Sequence, residues 1–111
     1  MAKVRISGLP NCDSCKSARK ALEAAGFEIE FRDLRKDPPS REEILKLWQA
    51  FGPSLLNKAS TTWRGLSDAE KAQEPVALLA EHPVLMKRPV VEDAQNATIG
   101  WTAAVQKQWL G

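Results

Sequence analysis

Apolar and polar residues alternate at the start of the chain, where Val4 and Ile6 stand between Lys3, Arg5 and Ser7. That two-residue period predicts a half-buried strand. The period then becomes helical: Ala18, Ala21, Leu22 and Ala25 form one side, Lys16, Arg19, Lys20 and Glu23 the other, and Gly26 stops the helix. Phe27, Ile29 and Phe31 next alternate with Glu28, Glu30 and Arg32, which predicts a second strand. Two strands joined through a helix make a βαβ unit with parallel strands and a right-handed crossover. The carboxyl end of the first strand, where open α/β sheets keep their sites, leads straight to Cys12.

From Asp37-Pro38-Pro39 the punctuation is helical. Ser40-Arg41-Glu42-Glu43 is a capping box, followed by Ile44, Leu47, Trp48 and Phe51 on one face and Gly52 at the stop. A second box, Ser67-Asp68-Ala69-Glu70, opens another helix. Pro75 begins a further short one through Leu78 and Leu79, ended by His82-Pro83. Val84 to Val91 reads as a loop entering an apolar strand, Asp93 to Asn96 as a turn, and Ala97-Thr98-Ile99 as an antiparallel strand. After Gly100, Thr102 caps a closing helix with Ala103, Ala104, Val105, Trp109 and Leu110 as its apolar contacts. The order βαβ, helical insert, ββα predicts an α/β, thioredoxin-like fold with a mixed four-stranded sheet. It forms one domain over residues 1–111, with the insert at about 38–83.

Length and composition narrow the chemistry. At 111 residues and 43% apolar, the chain buries roughly two-thirds of its unfolded surface as one domain and needs no disulfide staples. Its two cysteines are free for chemistry. A net charge of +2, from 16 basic and 14 acidic residues, gives no general attraction to nucleic acid or membranes, so any anion site is local. Met1 to Ser7 holds no stretch of signal-peptide character, and the longest apolar run, Val76 to Ala80, is too short to span a bilayer. A soluble, cytoplasmic protein is expected.

Cys12 and Cys15 lie three apart at a helix start. There the unpaired N–H groups and the positive end of the helix dipole favour the thiolate, which is the nucleophile. One sulfur can face solvent while the other, a turn below, resolves a mixed disulfide. Inert buried cysteines are one alternative. Half of a zinc site is another, but tetrahedral zinc takes four ligands and the chain adds only the distant His82, so no metal is expected. His82 itself, before a proline at a helix end, reads as a cap or surface residue.

Arg88-Pro89 opens the third strand. A proline at that place in a thioredoxin-like sheet is commonly cis and lies against the active-site cysteine. Arg88 then points into the site, where its guanidinium can bind an oxyanion or a glutathione carboxylate and favour the thiolate; otherwise it is a surface arginine beside a turn. Thr61-Thr62-Trp63-Arg64 reads as an exposed loop, either a lid whose Trp63 and Arg64 cover an anionic thiol substrate or a segment with Trp63 packed inward and Arg64 solvated. Trp48, Trp101 and Trp109 read as core or rim. Lys16 and Arg19 are either a solvated helix face or an aid to thiolate formation.

Taken together, Asn11-Cys12-Asp13 before Lys16, Arg19 and Lys20, Leu55-Leu56-Asn57 before Thr61-Thr62-Trp63-Arg64, and Lys87-Arg88-Pro89-Val90 resemble the ArsC/Spx family, and within it the YffB-like branch. The resemblance spans almost the whole chain. It implies that Cys12 matches the cysteine that attacks arsenate in glutathione- and glutaredoxin-dependent arsenate reductases, and Arg88 an arginine that holds the oxyanion. Two further family arginines are replaced, one by Asn57 and one in the region of Ile99-Gly100-Trp101, which moves the expectation from arsenate toward thiols. The Cys-x-x-Cys pair is similar to that of Spx, a redox-sensing regulator that binds RNA polymerase. The YffB-like branch implies a glutathione-dependent thiol reductase.

The expectation is therefore a thiol-disulfide oxidoreductase with Cys12 as nucleophile and Cys15 resolving. Arg88, Pro89 and Arg64 bind a small anionic or glutathionylated substrate, and arsenate reduction is a further activity the family implies. Glutathione is the co-substrate, with glutaredoxin or thioredoxin as partner, and no bound cofactor is required. Under the regulator alternative the partner is RNA polymerase.

Overall fold

A computed structural model describes residues 2–111. Strand β1 (Lys3–Gly8), helix α1 (Asp13–Ala24) and strand β2 (Glu28–Asp33) form the opening βαβ unit, with β1 and β2 parallel and in register from Lys3 opposite Glu28 to Gly8 opposite Asp33. Helices α2 (Arg41–Phe51), α3 (Thr61–Arg64), α4 (Asp68–Lys71) and α5 (Pro75–Glu81) follow. Strands β3 (Val90–Glu92) and β4 (Ala97–Ile99) and helix α6 (Ala103–Leu110) complete the chain. The sheet order is β2-β1-β3-β4. Because β3 runs antiparallel to β1, with Val90 opposite Ser7, the start of β3 lies beside the end of β1.

Alternation sorts the strand residues between two cores. Val4, Ile6 and Val91 meet Leu22 of α1, with Phe27, Ile29, Trp101 and Trp109 at the rim. The other face of β3 presents Val90 to Ile44, Leu47, Leu55, Leu79, Leu85 and their neighbours from the helical insert. β3 is apolar on both faces because it is an inner strand covered on both sides, and Val90 and Val91 are both fully buried. The tryptophans take the packing roles their spacing predicts: Trp48 borders the insert core, and Trp109 meets Phe27 edge to face at 6.2 Å.

Beside the insert core, β1 and β2 meet α2 through polar side chains. Glu43 closes the predicted capping box by accepting from the Ser40 N–H. It also accepts two hydrogen bonds from Arg32, at 2.8 and 3.1 Å, and one from Arg5 at 3.3 Å. One carboxylate thus both starts α2 and docks it. The second box forms too, but α4 is a single turn, ended before Pro75, whose ring disfavours helical geometry at Glu74. Glu74 instead caps α5, accepting from the Val76 and Ala77 N–H groups. Thr61–Arg64 differs from the expected loop: the Ser60 hydroxyl accepts from the Trp63 N–H and closes one helical turn. Among the described residues no helix is long and apolar enough to cross a membrane.

Candidate functional site

β1 ends in Gly8, and a side chain there would run into the Cys15 sulfur and lie 3.3 Å from its Cβ. The missing Cβ lets α1 sit close against the strand end, with Cys15 only 2% exposed. Leu9 to Asn11 turn the chain, and the Cys12 N–H closes the turn on the Leu9 carbonyl at 3.2 Å. Cys12 is the N-cap of α1, in extended geometry, and its carbonyl accepts the first helical bond from Lys16 at 2.9 Å. The Cys12 sulfur is therefore half-exposed at a helix start. Cys15 lies one turn down and buried, and both are free thiols.

Three backbone ties bring distant segments to that place. The Leu34 N–H donates to the Gly8 carbonyl at 2.9 Å, which holds the turn after β2 against the end of β1. The Asn57 N–H donates to the Leu85 carbonyl and the Lys87 N–H to the Leu55 carbonyl, both at 2.8 Å, around an antiparallel bridge between Leu56 and Met86. The insert is thus stitched to the segment that carries Arg88. The Arg88–Pro89 peptide is cis, as the Arg-Pro pattern predicts, and Pro89 is buried.

The result is a cleft of about 310 Å³ that joins Cys12 with Arg35, Asn57, Arg88 and the segment Ser60 to Thr62. Partial burial opposes ionisation of Cys12. The N–H and thiol of Cys15, the charge of Arg88 and the Ser14 N–H outweigh it and hold the Cys12 pKa below the ordinary thiol value. Burial pushes Cys15 up to about 12, and donating to the Cys12 sulfur adds to the rise. The two thiols are thus unequal: one is prepared as a nucleophile, the other is held as a proton donor behind it.

Arg64 takes a different place from the one its sequence context suggests. Its guanidinium donates to the Ala59 carbonyl at 3.1 Å, and it is not among the residues that line the cleft. Trp63 is not a lid either. It packs against the insert core, with the Lys58 and Lys71 ammonium groups 5.6 and 5.5 Å from its ring centre. The arrangement matches the inward-packing alternative. The cation at Cys12 is Arg88 and not Lys16 or Arg19: Arg19 stacks on Phe31 at 5.0 Å, and with Lys16 it borders a separate groove along the outer face of α1. His82 ends α5, 3.9 Å from Glu70 in the insert. Among the described residues no group of three His, Cys, Asp or Glu side chains is placed to hold a metal ion.

Arg35 and Ser60 escape the sequence reading, and Thr61 and Thr62 take the place it gave to Trp63 and Arg64. Arg35 lies just past β2 in an unremarkable polar turn, yet it is next to the carboxyl end of a strand parallel to β1, and that position was the available signal. Ser60, Thr61 and Thr62, rather than Trp63 and Arg64, line the site, and the Ser60 hydroxyl caps α3 by accepting from the Trp63 N–H.

The ArsC family profile matches residues 8–108. The chain is 34% identical over 100 residues to the protein YusI of Bacillus subtilis, covering 83% of this chain and 85% of YusI. It is 32% identical over 98 residues to the regulatory protein MgsR of the same organism, covering 83% and 78%. Its fold is similar to that of a solved YffB protein, with a TM-score of 0.85 and 28% identity over 97% of this chain and 99% of the other.

Proposed function

The chain belongs to the ArsC family, and from that premise we propose that it is a glutathione-dependent thiol-disulfide oxidoreductase. The observation that carries this reading is the unequal thiol pair: Cys12 half-exposed and favoured as thiolate in a cationic cleft, Cys15 buried directly behind it. The Cys12 thiolate attacks the glutathione sulfur of a mixed disulfide R–S–SG. A new Cys12–SG bond forms, the S–S bond of the mixed disulfide breaks, and RS⁻ leaves to take a proton from water. Arg88 holds an anionic part of the substrate, while Asn57 stands where arsenate reductases of the family have an arginine. Thiols therefore fit the cleft better than a tetrahedral oxyanion, which needs several charged donors.

Two routes return the enzyme to its dithiol state. A second glutathione thiolate attacks the bound glutathione sulfur, releasing oxidised glutathione and the Cys12 thiolate. Alternatively the Cys15 thiolate attacks the Cys12 sulfur and expels GS⁻, leaving a Cys12–Cys15 disulfide for the dithiol of a glutaredoxin or thioredoxin. Capping Cys12 removes the negative charge that helps to raise Cys15, which eases its deprotonation at that step.

Incubating the Cys15→Ser variant with oxidised glutathione tests the reading. The expected product is a stable glutathione adduct on Cys12, seen by mass and discharged by added glutathione. No adduct over a wide pH range would overturn it. In parallel, a glutathionylated substrate is expected to turn over faster than arsenate when glutathione and glutaredoxin are supplied.

The likeness to MgsR favours a second reading, in which a Cys12–Cys15 disulfide changes binding to a partner such as RNA polymerase. Binding that follows the redox state, without turnover of either substrate, would select it.

A further inference from the structure

The arginines of this chain fall into two groups. Arg5 and Arg32 bind Glu43, Arg41 pairs with Glu74, Arg64 donates to Ala59, and Arg19 stacks on Phe31. Among the described residues Arg35 and Arg88 alone have guanidinium groups with no ion pair, hydrogen bond or aromatic partner within the chain, and both line the Cys12 cleft. The cleft lining contains no Asp or Glu. Two unengaged guanidiniums in one acid-free cleft are a built-in demand for anionic groups from outside.

Each cation has a different reach. Arg88 sits close enough to act on the Cys12 sulfur, whereas Arg35 is not among the groups that do so. Arg35 comes from a different element, the turn after β2, and is exposed where it lines the cleft. Its backbone N–H is fixed on the Asp33 carboxylate at 2.9 Å, and the neighbouring Leu34 is buried at 1% exposure as the anchor. The space between the walls, about 310 Å³, lies at the small end of the roughly 300–1,000 Å³ typical of organic-ligand sites and is far larger than one tetrahedral oxyanion needs.

We propose that Arg35 is a specificity-determining residue that binds a carboxylate remote from the reacting sulfur, so that the cleft selects thiol ligands bearing two separated carboxylates. Arg88 takes the anionic group nearer Cys12, and the Ser60 to Thr62 hydroxyls accompany the chain between them. This rests on the thiol-reductase reading above and supplies its selectivity. A ligand with one charge leaves one guanidinium unmatched and binds more weakly.

The test measures equilibrium binding of S-methylglutathione, which has both carboxylates but no reactive thiol, so that recognition is read apart from chemistry. Arg35→Gln is expected to weaken it about tenfold, and Arg35→Lys less, because a charge-assisted pair is lost in one and only its bidentate geometry in the other. The monoester of the glycine carboxylate and that of the γ-glutamyl carboxylate identify the partner: with one of them Arg35→Gln is expected to cost nothing further. Cys12 alkylation by uncharged iodoacetamide is expected to be unchanged in Arg35→Gln, which separates recognition from nucleophile activation and confirms an intact fold.

Unaltered affinity in Arg35→Gln overturns the proposal. So does an equal loss for both monoesters, or the absence of saturable binding by the native protein. A tenfold loss for inorganic phosphate in the same variant would assign Arg35 to a compact oxyanion and overturn it as well. Should Cys12 form no glutathione adduct while S-methylglutathione still binds through Arg35, the reductase reading fails and the recognition site stands.

Discussion

Cys12 and Cys15 are made unequal by each other and by two residues outside the motif, Arg88 and Gly8. The N–H and thiol of Cys15, then the charge of Arg88 and the Ser14 N–H, overcome the effect of burial on Cys12. Its alkylation rate is therefore expected to rise with pH through a midpoint below the free-thiol value of roughly 8.5. In Arg88→Gln that midpoint moves up, because the thiolate loses a favourable charge while the neutral thiol loses nothing. An unchanged profile would remove Arg88 from nucleophile activation. Gly8 acts by having no Cβ: Gly8→Ala sets a methyl group against the Cys15 sulfur. It is expected to cost about 1–3 kcal/mol in denaturant unfolding, the usual range for overpacking. The cysteines were legible from spacing alone, but Gly8 was not, since only packing shows what a methyl group would strike.

Among the elements, α2 shows how one side chain joins local and distant structure. The capping box was readable in Ser40 and Glu43, since its bonds close over three residues. The bonds from Arg32 and Arg5 to the same carboxylate were not, since they depend on how α2 lies across the sheet. Hydrogen bonding from Arg32, ahead of the Ser40 N–H, holds the Glu43 carboxyl at about 2. The unfolded value is higher, roughly 4.3, so the unfolded chain takes up the proton first. The contribution of Glu43 is complete above about pH 5 and is lost as pH falls toward 2. Glu92, raised by burial, works in the opposite sense and loses stability as pH rises through its own titration. Glu43→Gln is expected to cost about 1–2 kcal/mol at neutral pH, limited by solvent screening of a partly exposed group. It should also flatten the acid limb of the stability curve; an acid limb as steep as the native one would exclude Glu43 as its source. The Thr61–Arg64 segment gives the converse lesson: its polar composition reads as loop, while one hydroxyl cap and the packing of Trp63 make it a helical turn.

Across the whole molecule, the sheet order β2-β1-β3-β4 decides where chemistry can occur. Antiparallel β3 brings Arg88 and Pro89 to the end of β1; parallel β2 brings Arg35 there from its own carboxyl end; the Leu56 to Met86 bridge brings in Asn57 and the hydroxyls of the insert. The sequence by itself determined the element order apart from the helical turn at Thr61–Arg64, the two capping boxes, the thioredoxin-like architecture and the placement of Cys12 at the N-terminus of α1. These follow from periodicity and from caps that act within one turn. Only the tertiary structure decided which arginines face the thiols, turning Arg35 and Arg88 to the cleft, Arg64 to a backbone carbonyl and Arg19 to an aromatic ring. The reason is physical: an arginine side chain is long enough to reach any of several partners, and its choice depends on groups that the folded chain brings near, which no local pattern records.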